Sequence, residues 1–70
     1  MLIKEYVENK ENDQEQLVNI CKVPDGKPST WPELDELWTG KLKDVPSEYL
    51  DCDCEAGYLI GAQRYQFTIL

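Results

Sequence analysis

Thr30-Trp31-Pro32-Glu33-Leu34-Asp35-Glu36-Leu37-Trp38-Thr39-Gly40 carries the sharpest local pattern in the chain. Thr30 can cap a helix with its hydroxyl, and Glu33, three residues on, can reach back to the capping residue's N–H. Proline is tolerated in a first helical turn because its missing donor would be unpaired there anyway. Trp31, Leu34, Leu37 and Trp38 follow 3.6-residue spacing and form one apolar stripe, while Glu33 and Glu36 point away from it. Gly40 supplies the stop. The pattern predicts one short helix, closed at Gly40.

On the N-terminal side, Leu17 to Val23 is rich in β-formers and ends in the turn chemistry of Pro24-Asp25-Gly26. Leu2 to Val7 has similar composition. Between these two runs, Glu8 to Gln16 contains no apolar residue and reads as an exposed loop. The expectation is an antiparallel pair of strands around an acidic tip, with a helix over residues 13–22 as the competing reading. On the C-terminal side, Lys41 to Ser47 is a connector closed by Val45-Pro46. From Glu48 the chain alternates: Leu50, Cys52 and Cys54 share one face, and Tyr49, Asp51 and Asp53 the other. Glu55-Ala56-Gly57 reads as a turn, Tyr58-Leu59-Ile60 as a resumed strand, and Tyr65, Phe67 and Ile69 as the inner face of a last one, with a bend at Gly61. The fold class expected is α+β: a small antiparallel sheet of three to five strands with one short helix packed on a face.

Seventy residues make a single small domain spanning 1–70. A core of this size supplies a net stability of about 3–5 kcal/mol, and a deep substrate cavity would be carved from the same apolar material. The sequence contains no histidine, which removes the commonest general base and metal ligand near neutral pH. The glycines at 26, 40, 57 and 61 form no phosphate-binding loop. The expectation is a protein that is not an enzyme and has no cofactor. Cys21, Cys52 and Cys54 are an odd set, and a Cys-x-Cys pair does not match the spacing of structural zinc sites. They are expected to be free thiols in the core of a cytoplasmic protein, with a thiolate metal site as the third-ranked reading of the chain. The opening residues do not resemble a signal peptide, and no apolar run approaches the ~18 residues a membrane span needs.

Charge is the clearest functional cue. Fourteen Asp and Glu face seven Lys and Arg, a net charge of −7. Such a chain is repelled by nucleic acids and anionic membranes, which attract lysine and arginine. It is drawn to basic protein surfaces. From Asp44 to Glu55 there are five acids and no base, and Glu33, Asp35 and Glu36 precede them. The candidate protein-binding residues are therefore Glu33, Glu36, Asp44, Glu48, Asp51, Asp53 and Glu55, with Tyr49 as an aromatic anchor among them. Size, charge and missing catalytic residues resemble the general style of phage-encoded inhibitors, anti-CRISPR proteins included. That likeness implies a partner whose basic surface handles nucleic acid. The second reading is an assembly role, with an edge strand ending in Phe67-Thr68-Ile69-Leu70 pairing with another copy as a homodimer.

Overall fold

Val18 and Ile20, both fully buried, anchor the first strand, β1 (Leu17–Lys22), where the β-rich composition put a strand. In the computed structural model, which describes residues 1–28 and 30–70, β1 lies inside a four-stranded sheet. The other strands are β2 (Asp35–Lys41), β3 (Cys54–Leu59) and β4 (Arg64–Ile69), in the spatial order β2-β1-β4-β3. β1 runs antiparallel to β2 and parallel to β4, while β3 and β4 form an antiparallel hairpin. The architecture is α+β as expected, but the sheet is mixed rather than wholly antiparallel.

Two short helices and one 3-10 turn cover a single face. Helix α1 (Ile3–Glu8) replaces the strand expected over Leu2–Val7. The reason lies in the spacing of its apolar residues. Ile3 is fully buried, and Tyr6 and Val7, one turn later, pack on the same core cluster, which is helical periodicity hidden under β-forming composition. The Glu5 carboxylate accepts the Leu2 N–H at 2.8 Å, satisfying a donor that six residues of helix leave orphaned. Residues 9–16 form a largely exposed loop, but it joins α1 to β1 rather than forming a hairpin tip. Its side chains tie it to the helix: Asn12 donates to the Tyr6 carbonyl at 2.8 Å and Gln14 to that of Val7 at 3.2 Å.

The helix expected from the Thr30-to-Gly40 pattern is absent. Asp35 to Lys41 pairs with β1, Ile20 standing opposite Trp38 and Val18 opposite Gly40. Tertiary pairing overrides a local helical signal here. A central strand with buried residues on one face needs a neighbour on each side to satisfy its main chain, and the register observed packs the half-buried Trp38 against the core. Trp31 and Leu37 stay partly exposed, and Lys27 Nζ sits 4.3 Å from the Trp31 ring centroid. A bulge between Ile20 and Cys21 leaves Leu37 unpaired, since Ile20 meets Trp38 and Cys21 meets Glu36.

The alternation from Glu48 to Cys54 is also not a strand. Ser47–Leu50 forms one turn of helix, α2, entered from Pro46, and β3 starts at Cys54. Pro46 fixes the extended entry to α2 that a helix start requires. Glu55-Ala56-Gly57, expected as a turn, lies inside β3, and the reversal occurs instead at residues 60–63, with Gln63 at φ 53°. Tyr65, Phe67 and Ile69 do face inward on β4, Phe67 fully buried. Leu42, in the 3-10 turn Leu42–Asp44, completes the core with Ile3, Val18, Ile20, Cys54 and Phe67. Tyr6 closes over it, its ring centroid 5.0 Å from Phe67 and 5.3 Å from Tyr65.

The sheet order overturns one further expectation. Phe67 to Ile69 belongs to β4, which is paired on both sides, so the edges are β2 and β3 rather than the C-terminal strand.

Candidate functional site

The covering layer consists of α1, the loop to β1, the 3-10 turn and α2. It is stitched together by main-chain bonds from Leu42 N–H to the Gln16 carbonyl (2.8 Å) and Lys43 N–H to the Gln14 carbonyl (3.0 Å). Residues 3–16 and 42–53, which build this layer, hold nine carboxylates and three lysines. All other residues together hold five carboxylates and four basic side chains, so six of the seven net negative charges reside in the layer. The segregation follows from packing. These segments turn Ile3, Tyr6, Val7, Leu42, Val45, Tyr49 and Leu50 onto the sheet, and the remaining positions are free to be acidic.

The carboxylates divide by what they touch. Glu15 bridges two lysines, 2.7 Å from Nζ of both Lys41 and Lys43. Those two contacts hold its carboxyl far below the usual range, to about 2. Asp53 accepts from the N-terminal ammonium at 2.7 Å, which lowers its own pKa and raises that of the amino group. Asp51 lies 3.4 Å from Lys4 Nζ. Among the described residues no ion pair reaches Glu5, Glu8, Glu11, Asp13, Asp44 or Glu48. These six exposed groups are the free negative charge of the layer, Glu5 and Asp13 accepting only main-chain N–H groups.

The residues expected to form one acidic flank are thus parted. Asp44, Glu48, Tyr49, Asp51 and Asp53 share the covering layer, though Asp51 and Asp53 are neutralised there. Tyr49 is half-buried against the core rather than standing clear as an aromatic anchor. Glu33 precedes β2 and Glu36 lies on it, at one edge of the sheet. Glu55 lies on β3, at the other edge, beside Thr68. β1 and β4 lie between β2 and β3, so Glu33 and Glu36 stand two strands away from Glu55. Sequence reasoning also passed over Glu8 and Glu11, read as loop solvation. The apolar-free run in which they sit was a visible signal, but its position beside the 3-10 turn depends on long-range packing.

The opposite face of the sheet has a different character. Arg64 Nη1 donates to Asn19 Oδ1 at 3.1 Å, and the Thr39 hydroxyl lies between Asn19 (3.2 Å) and the Glu36 carboxylate. Cys21 is buried on this face opposite Thr68, and burial, helped by the nearby Glu36 charge, pushes its thiol pKa up. Cys54 is buried on the covered face and burial raises its pKa too. The sheet therefore stands between these two sulfurs, and a single metal ion cannot take both as ligands. Among the described residues no three Cys, Asp or Glu side chains converge in metal-binding geometry. A groove of about 590 Å³ runs between the loop after β1 (Val23, Asp25, Lys27) and the ends of β3 and β4 (Glu55, Thr68, Leu70). Its cations are engaged, Lys22 with Asp25 at 3.3 Å and Lys27 over Trp31. Among the described residues no helix is long and apolar enough to cross a membrane. Comparisons with protein-family models, with curated proteins and with solved structures found no match to this chain.

Proposed function

We propose that the protein is a binding module that presses its acidic covering layer onto a basic surface of another protein. The observation that carries this reading is the division of charge: six net negative charges on one layer and one on the remainder of the molecule. A one-sided charge distribution orients the molecule as it approaches an oppositely charged partner and accelerates encounter. Glu8, Glu11, Asp44 and Glu48 lead the contact because, among the described residues, neither an ion pair nor a main-chain N–H engages their carboxylates. A surface of carboxylates spaced over helix ends and loops suits arginine and lysine side chains that otherwise hold phosphates, so the partner proposed is a nucleic-acid-handling protein. Inhibition follows if the basic surface is the one that binds nucleic acid.

The test is a titration of isotope-labelled protein with an arginine-rich peptide, followed by amide NMR. Shifts concentrated in residues 3–16 and 42–50, and suppressed at about 0.5 M salt where charges separated by more than ~4 Å are screened, are the expected result. Shifts spread equally over both faces of the sheet, or binding indifferent to salt, overturn the proposal.

A further inference from the structure

The two edges of the sheet are not equivalent. β2 carries Asp35, Glu36 and Lys41 and is broken by the bulge at Leu37, the devices by which an edge avoids pairing with another chain. β3 has none of these beyond Glu55. It continues as Ala56-Gly57-Tyr58-Leu59 into Ile60, and every residue from Glu55 to Ile60 is exposed, Ile60 by 83%. The start of this edge is already used as a strand partner: Leu2 bridges Asp53, and Cys54 N–H donates to the Met1 carbonyl at 2.8 Å. Since strand residues alternate in direction, the main-chain groups of Ala56 and Tyr58 point outward as those of Cys54 do. Among the described residues nothing pairs with them.

We infer that the free edge of β3 pairs antiparallel with β3 of a second copy, about a two-fold axis at Gly57. Two observations favour a second copy over an unrelated strand. First, the register is self-complementary. With Gly57 on the axis, Ala56 lies opposite Tyr58 of the second copy, a small residue beneath a large ring, and the same contact is repeated by symmetry. Second, Gly57 has no use inside one copy: it has no positive φ, and a Cβ added there meets nothing within 4 Å. Glycine within a strand weakens it and marks a place where another backbone comes close.

The resulting assembly is a continuous eight-stranded sheet. A two-fold axis perpendicular to it leaves both covering layers on the same side, so the dimer offers a doubled acidic surface while the contact itself stays clear of most of the negative charge.

Sedimentation equilibrium under reducing conditions, from about 10 µM to about 1 mM, reads the association directly. The expected mass rises from 8.1 kDa toward twice that value over the range. Ala56→Lys, which puts a charge at an exposed position facing Tyr58 of the second copy, is expected to hold the chain at the monomer mass with an unchanged circular dichroism spectrum. Hydrogen exchange of the unmodified protein gives a second reading, independent of any variant. The Ala56 and Tyr58 amides should gain at least ~10-fold protection between the lowest and highest concentrations, while amides of β2 do not change. A chain that stays at 8.1 kDa throughout, or one that associates without protecting these two amides, overturns the inference. Peptide titration of folded Ala56→Lys should still shift the covering layer, which separates this result from the fate of the proposed function.

Discussion

Gly40 shows how much a single side chain can matter in so small a core. A Cβ built there comes within 2.6 Å of the Trp38 ring, so even alanine must displace the indole that β2 lays over the sheet. Gly40→Ala is expected to cost about 1–3 kcal/mol, the usual penalty for overpacking. A shift in tryptophan emission should accompany the lower urea midpoint, and an unchanged midpoint would mean that the ring has room to move. Phe67→Ala is more severe. Removing a fully buried phenylalanine costs about 3–5 kcal/mol, comparable to the net stability of a domain this size, and the variant should be unfolded by circular dichroism. Glu15 gives a pH signature. Its folded pKa is depressed below the ordinary 4.5, so its contribution is present above that pH and fades as acidification proceeds toward about 2. Glu15→Gln should therefore flatten the fall of melting temperature across this interval. The N-terminal ammonium works in the opposite direction. Its pKa is raised above 8.0 by Asp53, so the stabilisation it provides is complete below that value and is lost on further alkalinisation.

The elements differ in how plainly their residues announce them. β1 and β4 were legible because Val18, Ile20 and Phe67 are buried, and Ile69 half-buried, where β-forming composition and alternation indicated. α1 was not, since Ile3 and Tyr6-Val7 satisfy both a strand's composition and a helix's spacing, and the deciding contacts with Tyr65 and Phe67 lie sixty residues away. β2 failed for the converse reason: its local sequence favours a helix cap, stripe and stop, but the open side of β1 demands a strand. A six-residue helix is too short to persist alone. α1 accordingly depends on its Glu5 contact and on the sheet beneath it. Glu5→Ala, which orphans the Leu2 N–H, is expected to lower stability by about 0.5–1 kcal/mol, the range seen for lost helix caps. Chemical denaturation measures it, and a null effect would show that solvent replaces the carboxylate without cost.

For the molecule as a whole, the candidate interface was legible in its charge and not in its geometry. The excess of acid is written in the composition, whereas its collection on one layer requires knowing that residues 3–16 and 42–53 meet over the same face. Crowding of like charge on that layer also opposes folding. Raising salt from about 0.05 to about 0.5 M screens this repulsion and should raise the melting temperature, even though it weakens the ion pairs of Glu15, Asp51 and Asp53. A fall instead would mean that those pairs outweigh the repulsion.

The parallel contact between β1 and β4 has a consequence for how the chain comes to be folded at all. Lys22 meets Ile69, so the middle of the sheet joins segments whose residues leave the ribosome nearly fifty positions apart. With such distant partners, closing the intervening loop precedes any reward from the contact, which slows the search. An N-terminal portion can bring Val18 and Ile20 against Ile3 and Leu42 during synthesis, but the other side of β1 stays open until Phe67 has emerged. Every nascent copy therefore carries one unpaired side of its central strand until β4 has been made.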